Sequence, residues 1–384
     1  MSRGHGCLTV LQVLPALASG GVERAAIEIS QALVDAGHRA LVVSAGGRLL
    51  PALRAAGADH RLLDIGRKSP ATLRHLPALR ALCLAERVDI VHARSRLPAW
   101  IARTTLATLP HATRPRWMTT MHGLHSRSRY SAVMASGERV ICVSRTVADH
   151  IRSAYPGTDP ARLRVIPRGV DPRLFPRASW PDRGARVAVA ATHPALGGDG
   201  PLLLLPGRGT RLKGHDDALA LLTTLRIAGL DARLWMPGAR DPARADYVAG
   251  LEARGIALGL ADAVAITAPT DAIAAAYAAS DVVLQLSRRP EAFGRTVVEA
   301  LAVGRPVVGW AHGGVGELLH ELHPAGAVAP FDAVALAATV ARACDGHRPA
   351  GTMPVDHPYT LCAMQDATLA VYDELHHAPR HRST

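Results

Sequence analysis

Lysine is almost missing from this sequence. Of its 44 Lys and Arg residues, only Lys68 and Lys213 are lysines. Aromatic residues make up 4% of the chain, which leaves few rings on which unpaired bases could stack and speaks against a single-strand nucleic-acid binder. Zinc-finger spacing and basic-zipper heptads are also missing, so no nucleic-acid partner is expected. Cysteines number five (Cys7, Cys83, Cys142, Cys344, Cys362). They are scattered, with no C-x-x-C pair, and read as reduced, mostly buried thiols rather than a disulfide framework. The 19 histidines contain no H-E-x-x-H, and His376-His377 reads as part of a solvated tail, so no metal site is expected. No apolar run approaches the roughly 18 residues of a spanning helix. The first residues lack the charged, apolar and small-residue layout of a signal peptide, so a cytoplasmic location is expected.

What is present is a chain of 384 residues, 48% hydrophobic and 20% charged, enough for one or two sizeable cores. The net charge of +12 is unevenly placed. Residues 1–185 hold 27 Lys and Arg against 12 Asp and Glu, or +15; residues 186–384 hold 17 against 20, or −3. A basic half favours anionic partners such as an acidic substrate or a negatively charged membrane surface. Arg94, Arg96, Arg103, Arg114, Arg116, Arg127 and Arg129 are the candidates for such a face.

Strand-like and helix-like segments alternate along the chain. Strands are expected at 8–14, 39–44, 60–65, 89–93, 117–121, 139–144 and 164–166, with helices at 22–36, 71–86 and 98–109. Residues 172–200, rich in Pro, Gly, Arg and Ala, read as an irregular break. A second series follows, with strands at 202–205, 232–236, 264–267, 281–287 and 306–310 and a helix at 216–228. Such alternation predicts α/β architecture with parallel sheets covered on both faces. Two doubly wound domains are expected, residues 1–185 and 186–355, with 356–384 as a C-terminal helix and tail. Ligands of such sheets sit beyond the carboxyl ends of the strands, and an interdomain cleft is expected to hold the substrates.

Three motifs fall at strand ends. Ser19-Gly20-Gly21-Val22-Glu23-Arg24 joins the first strand to the first helix, where free amides attract an anion; the pattern fits a tight turn as well as a ligand loop. Pro206-Gly207-Arg208 with Lys213-Gly214-His215 places a planar and a compact cation together, suited to phosphate. In 287–299, Glu291 and Glu299 stand eight positions apart around a helix start at Gly294, an arrangement that can grip hydroxyls while amides meet an anion.

Taken in order and spacing, these residues resemble the GT-B glycosyltransferases of family 4, the group 1 type. The resemblance rests on Gly20-Gly21 with Glu23, His122-Gly123, Arg208 with Lys213-Gly214, and the Glu291…Glu299 pair, supported by the stretches 139–144, 165–171 and 313–317. It is similar, more distantly, to bacterial transferases of lipopolysaccharide-core or related surface glycans. Gly209 departs from the family's usual apolar residue, and 191–200 is irregular.

The resemblance implies two Rossmann-like domains and a retaining, metal-independent transfer of a hexose from a nucleoside-diphosphate sugar to a glycan or glycolipid. No cofactor is implied, and a UDP-sugar is preferred over a GDP-sugar as the donor. Arg208 and Lys213 would hold the diphosphate, Glu291 the sugar hydroxyls, and main-chain amides at Phe293, Gly294 and Arg295 the sugar and phosphate. Glu299 would accept from the ribose, Gly20 and Gly21 would lie near donor phosphate or acceptor, and His122 would face the reacting sugar. The C-terminal helix would return to the first domain. Separately, the +15 first half suggests docking on the anionic inner face of a cytoplasmic membrane or on a phosphorylated glycolipid acceptor. Alternatives are a nucleotide-sugar 2-epimerase of the same architecture and an inactive, basic binding protein.

Overall fold

The computed structural model describes residues 6–18, 20–178, 182–345 and 357–379. Their chain forms two compact units, one ending at Gly169 and resuming at Leu361, the other running from Val170 to Thr360.

In the first unit, β1 (Thr9–Val13), β2 (Arg39–Ser44), β3 (Asp59–Leu62), β4 (Ile90–Ala93), β5 (Arg116–Met121), β6 (Arg139–Cys142) and β7 (Leu163–Val165) make one sheet, ordered β3-β2-β1-β4-β5-β6-β7. All its pairings are parallel. Parallel strands need crossovers, and α1 (Gly21–Asp35), α2 (Leu50–Ala55), α3 (Leu76–Ala85), α4 (Arg96–Ala107) and α5 (Arg145–Ala154) lie between them. Helix α1 shows why the pattern works. Ala25, Ala26, Ile29, Ala32 and Leu33 fall on one face and are buried, the spacing of an amphipathic helix. Its chain then turns at Gly37, whose φ of 78° suits glycine.

The second unit opens with α6 (Arg183–Thr192) and then repeats the plan. Its strands β8 (Leu202–Leu204), β9 (Arg233–Pro237), β10 (Val264–Thr267), β11 (Val282–Gln285), β12 (Val307–Trp310) and β13 (Ala327–Val328) are ordered β10-β9-β8-β11-β12-β13 and parallel. Helices α7 (His215–Ile227), α8 (Ala245–Ala257), α9 (Ile273–Ala279), α10 (Arg295–Val303), α11 (Gly313–Leu322) and α12 (Ala333–Cys344) alternate with them. Its core gathers Leu203, Leu222, Leu234, Met236, Leu284, Trp310 and Val340.

In each sheet the strand order reverses beside the first strand. Strand β1 pairs with both β2 and β4, and β8 with both β9 and β11. The crevice at such a switch point is where open α/β sheets bind ligands.

The last helix, α13 (Leu361–His377), belongs to the first unit. Met364, Tyr372 and Leu375 join the core formed by Leu8, Val10, Ile29, Leu33, Val42 and Ile141. Glu374 on the same helix takes Arg139 and Arg164, each at 2.6 Å.

Several expectations change. The unit limits lie at Gly169/Val170 and Thr360/Leu361 instead of 185/186 and 355/356. The physical reason is packing: Ala178 N–H donates to Val303, Phe175 lies against Tyr277, and α6 packs on α9. The stretch 172–200 is therefore not irregular throughout. Asp182, whose carboxylate caps the Ala185 N–H, starts α6 within it. The helix expected at 71–86 begins as a 3-10 turn, Pro70–His75, before α3. Strand β13, with two residues, escaped notice because it is too short to show a period. His376 and His377 close α13 instead of lying in a tail. Cys83 and Cys142 are buried, Cys344 partly so, but Cys7 and Cys362 are exposed, so "mostly buried" holds for fewer than expected. Among the described residues no helix is long and apolar enough to cross a membrane.

Because Tyr372 is fully buried at the seam between α13 and the sheet, Tyr372→Ala should cost about 3–5 kcal/mol, as for other large aromatics. Glu374 has a side chain 35% exposed, so Glu374→Ala should cost about 1 kcal/mol or less. Chemical denaturation of the two variants checks the order; equal losses would contradict it.

Candidate active site

Two loops at the β8/β11 switch point build the site of the second unit. The first leaves β8 through Gly207, with φ of 154°, and carries Arg208. Gly209 packs so closely on the loop after β9 that a Cβ there would lie 2.1 Å from the Ala239 carbonyl oxygen. This contact explains the glycine where an apolar residue was expected. The loop ends at Gly214, with φ of 75°, whose missing Cβ would lie 2.1 Å from the Leu286 oxygen. Main chain thus crosses main chain beside Lys213, and only glycine permits both the dihedral and the approach.

The second loop leaves β11 through Ser287 and runs to Gly294. Glu291 forms an isolated parallel bridge with Gly313, and its carbonyl accepts from Gly314 N–H at 2.7 Å. His312 Nε2 lies 2.8 Å from the Ser287 carbonyl oxygen. The two loops are laced together: Arg288 N–H donates to Leu212 at 2.8 Å, and the Arg288 guanidinium reaches both Asp217 oxygens at 2.6 and 2.9 Å.

Across this lacing, Lys213 Nζ donates to Glu291 Oε1 at 2.6 Å, and the Ser287 hydroxyl donates to the same oxygen. Burial pushes the Glu291 carboxyl up, but Lys213 and Ser287 outweigh it and hold the group below its ordinary range. A cavity of about 510 Å³ opens here, lined by Arg208, Lys213, Arg244, Arg289, Ser287 and Glu291 among others. Four cations thus surround one carboxylate, and Arg208, Arg244 and Arg289 are exposed. Such a concentration of guanidinium and ammonium groups is complementary to a multiply charged phosphate.

The structure brings Arg208, Lys213 and Glu291 together in this cavity. Phe293, Gly294, Arg295 and Glu299 do not line it. Phe293 is buried with its ring 6.1 Å from that of Tyr359. Gly294 caps α10 with φ of 122°, and a Cβ there would lie 2.9 Å from Val315. Arg295 pairs with Glu299 at 3.2 Å one turn along α10, and Tyr277 OH donates to the other Glu299 oxygen at 3.0 Å.

In the first unit, Gly20, with φ of 141°, caps α1 beyond the end of β1. A Cβ at Gly21 would meet nothing within 4 Å. Ser19 lies outside the described residues. His122 follows the last residue of β5, partly buried, with Arg168 Nη2 at 2.7 Å from its Nδ1. His125, three residues on, is pushed down to about 4 by burial and by Arg96.

A larger cavity in this unit, about 560 Å³, is lined by Arg114, Arg116, Arg139 and Arg162. It lies at the opposite end of the sheet, where β5 and β6 begin. Its arginines are engaged, Arg116 with Glu138 at 2.9 Å and Arg139 with Glu374, and they hold α13 and the strand starts together.

Sequence reasoning gave no role to Arg244 and Arg289, which line the cavity, or to Arg168, which lies in the stretch 165–171 and meets His122. Arg289 sat inside a quoted motif without a role. Arg244 follows an Asp-Pro turn whose Asp241 caps Ala243; it reaches the cavity because β9 adjoins β8, and strand order is not written in spacing. The expected basic face is also corrected. Arg94 and Arg116 are 3% and 8% exposed, Arg94 donating inward to Gln12 and Arg116 to Glu138, while Arg103, Arg127 and Arg129 are exposed.

Both units of the chain resemble known proteins. The family described as Glycosyltransferase Family 4 matches residues 19–174, and that described as Glycosyl transferases group 1 matches 193–349. A D-inositol 3-phosphate glycosyltransferase of Xylanimonas cellulosilytica is 34% identical over 48% of this chain and 43% of its own. A 2-deoxystreptamine glucosyltransferase of Streptomyces kanamyceticus is 32% identical over 49% and 46%. The matched segment thus spans less than half the length of these relatives. Among solved structures, a glycosyltransferase of Rickettsia africae superposes with a TM-score of 0.85 at 26% identity, covering 98% of this chain and 100% of its own. The Anabaena protein HepE, in complex with UDP and glucose, has a TM-score of 0.80 at 19% identity, covering 95% and 99%, a likeness of fold. With one matching family description on each sheet and a parallel Rossmann-like sheet in both units, the chain belongs to the family 4, group 1 glycosyltransferases.

Proposed function

We propose that this protein transfers a hexosyl group from a nucleoside-diphosphate sugar, a UDP-sugar in preference to a GDP-sugar, to a hydroxyl of a glycan or glycolipid in cell-surface polysaccharide assembly, with retention at the anomeric carbon. The observation that carries the reading is the cavity at the β8/β11 switch point, where Arg208, Lys213, Arg244 and Arg289 surround Glu291.

The chemistry follows from those charges. Breaking the bond between the anomeric carbon and the β-phosphate oxygen places negative charge on the leaving diphosphate, and fixed cations stabilise it as it forms. Arg208 and Lys213 perform the role that a divalent cation performs elsewhere. Glu291 already accepts from Lys213 and Ser287, and its remaining lone pairs serve donor-sugar hydroxyls. The acceptor oxygen forms the new bond on the face the diphosphate leaves, and its proton passes to the departing phosphate oxygen. No nucleophile at the anomeric carbon is needed, and Glu291, hydrogen-bonded on one oxygen, is a clamp. Glu299 and the amides at Phe293, Gly294 and Arg295 serve the nucleotide and phosphate in the same reading. Gly20, Gly21 and His122 of the basic first unit serve the acceptor and the reacting sugar.

A surface of the first unit supports attachment to an anionic membrane face. Arg96 lies 5.4 Å from the Tyr130 ring and Arg103 lies 6.0 Å from that of Trp100, next to exposed Arg127 and Arg129. Arginine beside Trp and Tyr suits a charged headgroup layer.

Arg208→Ala and Lys213→Ala should each lower the rate of nucleoside diphosphate release on the order of 100-fold; losses below threefold in both would remove the cations from the mechanism. Proton NMR of the product should show the donor's anomeric configuration. An inverted product, a glycosyl adduct on Glu291, or an epimerised nucleotide sugar without acceptor would each contradict the reading. Sedimentation at low salt should favour anionic over neutral vesicles, with Arg103→Ala, Arg127→Ala and Arg129→Ala each weakening binding about fivefold; equal binding to both vesicles would sink the membrane proposal.

A further inference from the structure

The loop that follows β13 holds a residue whose backbone conformation does not suit its type. Among the described residues only Arg87 and Phe331 adopt a positive φ without being glycine. Arg87 follows the C-cap of α3, a place where left-handed backbone is common. Phe331 has a different setting. Asp332 N–H donates to the Ala329 carbonyl at 3.2 Å, closing a four-residue turn with Pro330 second and Phe331, at φ of 68°, third. Proline second and positive φ third mark a type II turn, whose third place favours glycine or asparagine. A bulky side chain there crowds its own main chain. The residue is also 51% exposed, so burial offsets only part of that cost.

The ring's contacts lead to the active site. The Arg288 guanidinium carbon lies over it, 5.1 Å from the centroid, a cation–π distance. The His312 ring meets it in a T-shape at 6.1 Å, and the Trp310 ring lies tilted at 5.8 Å. Trp310, 2% exposed, closes β12 and gives the ring a fixed backing. Arg288 and His312 hold adjacent residues of the loop after β11. Arg288 N–H donates to Leu212, and its guanidinium takes both Asp217 oxygens. His312 Nε2 lies 2.8 Å from the Ser287 carbonyl oxygen, which can only accept, so that nitrogen donates. The Ser287 hydroxyl then donates to Glu291 Oε1, the oxygen that Lys213 Nζ reaches at 2.6 Å. Ser287 and Arg288 therefore set where the Glu291 carboxylate sits, and Phe331 touches both side chains that set them.

We propose that Phe331 is a positioning residue: its ring braces Arg288 and His312 against the 287–294 loop and through them holds the Glu291 carboxylate in place. This rests on the reading of Glu291 as the donor-sugar clamp. Phe331 is not among the residues lining the cavity, so it acts through its neighbours. Without the ring, the Arg288 side chain, 48% exposed, loses the contact opposite Asp217, and the loop keeps its ties to Leu212 and Asp217 alone. An unfavourable backbone conformation held in place beside a functional loop is the pattern expected of such a brace.

Phe331→Asn and Phe331→Gly relieve the backbone while removing the ring, so a residue needed only for its turn would leave both variants at least as well ordered as the native chain. The proposal predicts the reverse at one place. Hydrogen–deuterium exchange should quicken about tenfold in peptides covering 287–294, with β12 and α12 keeping native rates. For UDP release from UDP-glucose, kcat should fall on the order of 10-fold, while UDP affinity, which depends on Arg208 and Lys213, moves little. Phe331→Tyr, which keeps the ring, should restore native exchange and rate. Phe331→Asn added to Arg288→Ala should slow the enzyme no further than Arg288→Ala alone, because the two act in series. Native exchange across 287–294 in Phe331→Asn would overturn the proposal. So would exchange that rises equally in β12 and α12, since that is a packing effect, or fully additive losses in the double variant. If Glu291→Gln turns over normally, or the native protein releases no UDP from UDP-glucose, the clamp or donor reading fails while the exchange pattern still decides the role of Phe331.

Discussion

Lys213 and Glu291 are 78 residues apart in sequence and 2.6 Å apart in the structure. Their contact is possible only because β8 and β11 are neighbours, so that the loops leaving them emerge side by side. Everything else at the site follows from that adjacency. Gly209 and Gly214 let one loop lie against the main chain of Ala239 and Leu286. Arg288 ties that loop to the other through Leu212 and Asp217. The ion pair itself is partly exposed, with side chains at 28% and 25%, so its worth to stability is modest. Its importance is positional. It holds an ammonium and a carboxylate side by side in the lining of a cavity that Arg208, Arg244 and Arg289 also line.

Arginine has two uses in this chain, and both units bury some of it: Arg305 of the second unit is 0% exposed. In the second unit, Arg208, Arg244 and Arg289 are left facing solvent and concentrate positive potential over the cavity, which attracts an anion before contact is made. In the first, much of the arginine excess is turned inward. Arg94 and Arg168 are buried with histidines and amides, and Arg116, Arg139 and Arg164 fasten Glu138 and Glu374. Arg94 donates to Gln12 through Nε while its Nη2 finds no acceptor among the described residues, and Arg168 lies against His122 and Met364. Net charge counted along the sequence cannot separate these two uses.

That distinction marks what was legible beforehand. The alternation of strands and helices, and the residues closing each strand, follow from local periodicity and from glycine at turns, so the two sheets and the loops bearing Arg208, Lys213 and Glu291 could be read directly. Helix α6 was missed because it lies inside a stretch rich in Pro, Gly, Arg and Ala and none of its residues is fully buried. The limits at Gly169 and Thr360 were missed because they depend on which core a linker joins. Arg244 was missed because it reaches the cavity through the adjacency of β9 and β8, which spacing does not show. Glu299 shows the converse: its spacing from Glu291 was clear, but not that Tyr277 and Arg295 would hold its carboxylate inside the unit.

The claim on which the account turns is that the cavity's cations hold a diphosphate. Calorimetric titration of UDP and UMP into the native protein and Lys213→Met tests it most directly. The account predicts that UDP binds more tightly than UMP, and that the substitution removes most of this difference while changing UMP affinity little. Equal affinity for the two nucleotides in the native protein, or a UDP affinity untouched by Lys213→Met, would contradict it.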